Sequence, residues 1–349
     1  MNTFKKFGVK PLLFKDGVLY ASKGYSLFIS NDFGVTYKFI CRIEVNFIVN
    51  FFSKIPIIAR IFRLGFFYLD FDFNNNLLAI VRGRLVIKFS NEKVFNTLIK
   101  FSRGSRSLNF VFDNKGNLSW GEYFSNKDRK EVHVFQSNYP YNIWRKQYTF
   151  KPNEVRHIHK IFFDKFNYEY YVLTGDYGNE SAIWKSSDYL QTLSPLIRGN
   201  QKSRAVSIII EKNRIIGATD TQLEQNYLYC LNKNGEQNLT KKITGPCFDI
   251  LKINDMYFAS SVIEVSKFNF SNEVILYGSL DGIKWVEIKS FVKDFYPKRL
   301  QKYFQFSTLS IVPSKDFLNR YVFFYAIGIK GYSSCLIRIE FDEIKNKLK

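Results

Sequence analysis

The chain has 349 residues, 46% hydrophobic and 18% aromatic, with 51 Lys and Arg against 31 Asp and Glu for a formal net charge of +20. This composition excludes a disordered chain and leaves length for two ordinary domains or one large repeat domain. The charge gives a field that attracts anionic polymers or membrane surfaces, although a coding bias that also enriches Phe, Asn, Ile and Tyr would raise the Lys count equally.

The cations are spread along the chain without a basic tail, and no recognition helix, zinc finger or RNA-binding motif occurs, so a specific nucleic-acid partner is not expected. The four cysteines, Cys41, Cys230, Cys247 and Cys335, are far apart and read as reduced, packed thiols. The opening MNTFKKFGVKPLLF lacks a secretory-type apolar run, and no uncharged apolar stretch of about 18 residues follows. The expectation is a cytoplasmic monomer, with peripheral contact at the inner membrane as an option.

Short β-rich runs follow one another in chain order: GVLYAS, SLFISN, LLAIV, RLVIKFS, YYVLTG, SAIWKS, RIIGATD, YLYCLN, MYFASS, VILYGS, YVFFYAIG and CLIRIEF. Turn residues separate them, which predicts an all-β repeat protein rather than βαβ units. Aligning the third strand of each unit places anchors near Ser30, Phe89, Phe135, Lys185, Cys230, Gly278 and Cys335, a period of roughly 50 residues. The expected fold is therefore one all-β domain over 1–349, a β-propeller of seven four-stranded blades. Six or eight would need a blade merged or split.

The rhythm breaks at Val45 to Phe67, read as an inserted amphipathic segment. Around Ile57 to Leu64 the segment suits a short basic helix lying on a membrane surface, or one packed against the propeller's side. Pro56 confines that helix to the residues after it.

One turn recurs in decaying copies. SNDFGVTY, Ser30 to Tyr37, has the pattern Ser-x-Asp-x-Gly-x-Thr-aromatic. Fainter versions run from Ser186 through Asp188 to Thr192, from Ser279 through Asp281 to Trp285, and from Ser137 to Trp144, the last keeping only its ends. The Ser and Asp side chains bond the turn backbone and Gly supplies the left-handed conformation, so these residues are structural. The pattern resembles the Asp-box, or BNR repeat, of sialidase-type β-propellers. As a turn between the third and fourth strands of a blade, it also fixes which face is which.

Polar clusters then collect on the opposite face. WGEYFSN (120–126), TGDYGNES (174–181) and ATDTQLEQN (218–226) leave second strands, while RGSRSL (103–108), VRHIH (155–159) and NQKSRAV (200–206) precede innermost strands. Arg82 and Arg84 in blade two, and Tyr303 and Gln305 at the entry to blade seven, join them.

Charged groups beside such apolar strands are costly unless paired or used. Arg106, Arg156 and Arg204 suit a carboxylate or sulfate through bidentate hydrogen bonds. Glu122, Asp176, Glu180, Asp220 and Glu224 supply acids and bases, and Gln201, Asn226 and Gln305 supply neutral polar contacts to a substrate. The catalytic candidates are Glu122, Tyr123, His157, His159 and Asp176. A purely structural alternative ties Arg156 to Asp176 and Arg204 to Asp220 as buried pairs that lock the barrel.

His157 and His159 point the same way in a strand. With Gln201 or Glu122 they would hold a divalent metal. Otherwise one of them serves as a base beside Tyr123, or the two form a hydrogen-bonded pair at a blade junction. No other cofactor is expected.

Taken in order, GSRSL, WGEYFSN, RHIH, TGDYGNES, NQKSRAV and ATDTQLEQN resemble a family of bacterial sialidase-like propeller proteins, glycosyl-hydrolase-like and in part found in polysaccharide-gene settings. The resemblance covers the chain from about Leu77 onward. It implies a propeller and a glycan partner, without bringing an established reaction. The Arg-Ile-Pro segment of true sialidases is replaced by Ser53-Lys54-Ile55-Pro56, and the Tyr–Glu nucleophile pair has no counterpart by spacing, so sialidase activity is not expected. Two functional readings stand: a hydrolase or lyase acting on an anionic polysaccharide or oligosaccharide, or a non-catalytic carbohydrate-binding or assembly protein in cytoplasmic steps of surface-polysaccharide biosynthesis.

Overall fold

A computed structural model describes residues 3–264, 266–295 and 306–349. Seven antiparallel sheets of four strands each form a propeller. Blades one to six take consecutive segments: 10–42, 66–100, 110–150, 157–198, 208–243 and 247–292. Blade seven takes its three inner strands from 308–340, and its outermost strand is Phe4–Phe7, paired from Phe4↔Arg338 to Phe7↔Cys335. The chain's beginning thus closes the ring on its end. The alignment anchors near Phe135, Lys185, Cys230, Gly278 and Cys335 all fall in third strands, as expected.

Sequence character follows position in the blade. The second strand of blade two, Leu77–Val81, is buried at every residue because both its faces meet neighbouring blades. An outermost strand such as Arg145–Phe150 is largely polar and faces solvent. Between blades one and two, Leu13, Leu27, Phe66, Ala79 and Val86 interdigitate, each large side chain contributing roughly 1.5–3 kcal/mol on burial. All four cysteines are free, and burial pushes the Cys41 thiol up to about 11 and Cys247 up to about 12.

Two turn devices hold one face. In the first, Ser30 Oγ donates to Asp32 Oδ1 at 2.7 Å, and Asp32 accepts from the Thr36 N–H (2.9 Å) and hydroxyl (2.6 Å). Gly34, at φ +91°, donates to Ser30 Oγ. Ser186/Asp188/Thr192 and Ser279/Asp281 repeat the arrangement. Ser137, without an Asp, bonds the Ile143 carbonyl instead.

The second device was not anticipated. In the first turns of blades two and three, Asp72 and Asp113 each accept backbone N–H groups two and four residues ahead. Each also accepts a tyrosine hydroxyl from the next blade, Tyr141 at 3.2 Å and Tyr170 at 2.9 Å. Neighbouring blades are thereby stitched together on that face.

The 45–67 insertion is helical, as expected, with one helix more than expected. It holds two helices, Phe47–Ser53 and Pro56–Phe62, where one after Pro56 was expected. Asn46 caps the first by accepting the Ile48 N–H, and Pro56 simply starts the second, where a missing N–H costs nothing. The pair lies across the face opposite the turn devices rather than along the propeller's side. Arg60 reaches a buried ion pair with Asp294 beyond blade six (2.7 Å), and Arg82 donates to the Phe62 carbonyl (3.2 Å). Among the described residues no helix is long and apolar enough to cross a membrane.

Candidate functional site

The seven innermost strands surround a central cavity of about 590 Å³, lined in or beside those strands by Leu12, Phe67, Asn109, Phe162, Ser207, Leu251 and Ser310. Ionisable groups crowd its entry mouth, on the face opposite the turn devices. Asp176, Asp220 and Glu264 each follow the second strand of blades four, five and six. Arg106, Tyr123, His159, Arg204 and Lys10 stand with them in the lining.

His157 and His159 lie on one side of the innermost strand of blade four, with Ile158 turned into the core between them. The ring Nδ1 of His157 meets the Phe124 carbonyl at 3.2 Å, and that of His159 meets the Ala205 carbonyl at 2.7 Å. A carbonyl only accepts, so the ring hydrogen sits on Nδ1 in both. The two Nε2 atoms then face each other at 3.1 Å, each 3.5 Å from Asp176 Oδ1. Such a geometry calls for a shared proton or another cation between them.

Asp176 is the hub. Its Oδ2 accepts from Arg156 at 2.8 Å and its Oδ1 faces Arg204 at 3.2 Å; Arg204 also reaches Asp220 at 3.3 Å. Both anticipated pairs, Arg156–Asp176 and Arg204–Asp220, are therefore formed. Gln201 donates to the Asp176 carbonyl (3.0 Å) and accepts the Thr221 hydroxyl (2.7 Å), holding two loops in register. Burial opposes ionisation of Asp176, yet the imidazoles and Arg204 hold its carboxyl far below the usual range.

Elsewhere in the mouth, burial and then the charges of Asp220 and Asp176 push Glu264 up to about 7, against the pull of Arg204. Burial also raises the Tyr123 phenol and lowers His157. Burial and the charge of Arg106 bring Lys10 down to about 8. Among the described residues, two buried atoms in the lining have no partner, the Arg204 Nε and the Asp220 Oδ1. A buried donor and a buried acceptor left unmet in one lining are groups that a polar ligand or an ordered water would satisfy.

The remaining sequence candidates divide. Tyr123 packs its ring 4.6 Å from that of His157, and Arg106 lies over the Phe67 ring at 4.4 Å in the mouth. Glu122 lies outside the cavity lining; it pairs with Arg103 and accepts the His133 N–H at 2.9 Å. Glu180 pairs with Arg129. Asn226 is buried and ties its own loop through Thr219 and Thr221. Glu224 is exposed on the loop rim, and Tyr303 and Gln305 lie outside the described residues. His133 meets Glu131 at 3.1 Å, away from the other two histidines.

The third group beside His157 and His159 is Asp176, not Gln201 or Glu122. These three residues place ligand atoms within 4.8 Å of one another, whereas Glu122 is drawn to Arg103 and the Gln201 oxygen is taken by the Thr221 hydroxyl. A metal there would compete with Arg204 for Asp176 Oδ1. Glu264 was missed because SVIEV carries no motif. Its signal was positional: carboxylates at 122, 176, 220 and 264 all follow second strands in successive blades.

No family model matches the chain, and no curated protein matches it. Solved structures do. A GH74 enzyme from Niastella koreensis aligns at TM-score 0.55 with 12% identity, covering 81% of this chain and 46% of that one. The AfRom2 CNH domain aligns at 0.58 with 8% identity, covering 97% and 99%. A chain of a mitotic checkpoint complex aligns at 0.56 with 9% identity, covering 97% and 91%. The chain spans about half the length of that GH74 enzyme, and at these identities the likeness establishes the β-propeller fold alone.

Proposed function

We propose that this propeller binds an anionic glycan at the entry mouth of its central cavity and cleaves it by acid–base chemistry. The observation that carries the reading is the Arg204 Nε and Asp220 Oδ1, buried and without a partner among the described residues, in one lining with Glu264, a carboxyl that keeps its proton close to neutrality. Arg204 and Arg106 receive the carboxylate or sulfate of the sugar. Glu264 donates a proton to the departing glycosidic oxygen. The His157–His159 pair, whose Nε2 atoms face each other near Asp176, takes up the proton that hydrolysis or elimination releases. The likeness to GH74 enzymes supports a carbohydrate setting through the fold.

A second reading, glycan binding without cleavage, is favoured by one fact: Asp176 is already saturated by two guanidinium groups. The test is incubation with uronate-bearing, sulfated, sialylated and neutral oligosaccharides. Hydrolysis yields new reducing ends, and elimination adds the ultraviolet absorbance of an unsaturated uronate. Cleavage unchanged in both Glu264→Gln and His159→Ala would overturn the assignment. Saturable binding without any product would leave the assembly reading.

A further inference from the structure

The insertion between blades one and two takes no part in that chemistry, and it is built in an unusual way. One side of it is fixed to the propeller. Val49 and Leu64 pack into the core between blades one and two, Ser53 is buried against Gly24, and Arg60 is buried on Asp294. The other side holds large apolar side chains out to solvent: Phe47 at 81% exposure, Ile48 at 61%, Phe51 at 55% and Phe62 at 56%, with Ile57 and Ile61 beside them. A rigidly presented apolar patch of this kind marks an interaction surface.

Its surroundings choose the partner. Lys23, Arg42, Lys54, Arg63 and Arg82 are exposed on the loops and strand ends of the same face, while Glu44 is the only acidic residue between positions 42 and 63. Short helices with aromatic side chains outward and cations around them suit the lipid interface, where rings sit at headgroup depth and cations meet phosphates. A second copy of the chain is a poor occupant, since it would bring the same cationic rim and a net charge of +20.

We infer that this insertion docks the propeller on the surface of an anionic lipid bilayer, with Phe47, Phe51 and Phe62 entering the headgroup region and Lys54 and Arg63 on lipid phosphates. The insertion shares its face with the cavity mouth, and the charge of Arg63 is felt by both Arg106 and Tyr123. Docking therefore turns the mouth toward the bilayer. On the glycan reading above, its substrate is then a lipid-anchored glycan; the docking itself does not depend on that reading.

The test is flotation of the full chain with vesicles of phosphatidylcholine alone and of phosphatidylcholine mixed with phosphatidylglycerol. Binding is expected to the mixed vesicles and to fall as salt rises. Phe47→Ser/Phe51→Ser/Phe62→Ser should lower the partition coefficient on the order of tenfold or more, with the thermal melt unchanged. Lys54→Glu/Arg63→Glu, which leaves the apolar side chains in place, should lower it about fivefold per charge or more. Absence of binding to the mixed vesicles overturns the inference, as does binding that neither variant weakens. Sedimentation showing a dimer that the Phe substitutions dissolve, without vesicle binding, overturns it in favour of self-association. Cleavage assays on soluble oligosaccharides report separately on the glycan site.

Discussion

Replacing Glu264 with Gln removes an ionisation and little else, since the two side chains have nearly the same size. In the folded chain, burial and the neighbouring charges of Asp220 and Asp176 raise this carboxyl from 4.5 to about 7, with Arg204 pulling the other way. The native state thus holds the proton more tightly than the unfolded state does. The stability this confers is fully present below about pH 4.5 and is lost as pH rises through about 7. The full difference converts to about 3 kcal/mol, and partial solvent contact reduces it to about 1–3 kcal/mol. Denaturant midpoints measured from acid to mildly alkaline pH should show the parent protein losing that amount relative to Glu264→Gln, with the variant the more stable at the alkaline end. On the glycan reading, cleavage by the parent also declines above about pH 7 and the variant is slow throughout. Parallel stability profiles would mean that Glu264 ionises normally, and the proton-donor role would fall with them.

Other outcomes follow from the same geometry. Asp113→Ala leaves the Tyr170 hydroxyl and two turn N–H groups without their acceptor, and should cost about 1–3 kcal/mol in chemical denaturation. Removing residues 3–8 takes away the strand that closes blade seven and should lower the melting temperature and broaden the transition; an unchanged melt would contradict the ring closure. Zinc, followed by calorimetry, should bind to the parent only weakly, because Arg204 occupies Asp176 Oδ1. Arg204→Met should tighten zinc binding about tenfold or more, and His159→Ala should abolish it.

Much of the fold was legible because a propeller writes its period into the chain. Second strands such as Leu77–Val81 are apolar throughout, and the Ser-x-Asp turns mark third-to-fourth strand hairpins by side-chain chemistry that needs no tertiary partner. The stitching of Asp72 to Tyr141 was not legible, since the partners stand 69 residues apart in different blades. The helix after Pro56 was legible too, but the one before it, Phe47–Ser53, was not, because Pro56 reads as the start of the only helix and here opens the second.

At the site, the arginine–aspartate pairs could be anticipated from blade alignment. Competition between neighbours could not: Glu122 looks like Asp176 by position, yet Arg103 draws it out of the mouth. Glu264 stood at the matching position two blades later without any motif to flag it.

On the reading proposed above, an anionic sugar is received where the Arg204 Nε and the Asp220 Oδ1 have no partner among the described residues. The most direct measurement is a crystal structure of the full chain with a bound uronate-bearing or sulfated oligosaccharide, with the affinity of its neutral counterpart measured alongside. The anionic group is expected within hydrogen-bond reach of Arg204 Nε at the entry mouth, with much weaker binding of the neutral sugar. A ligand seated on the Ser-x-Asp face, or equal affinity for charged and neutral sugars, would contradict that reading.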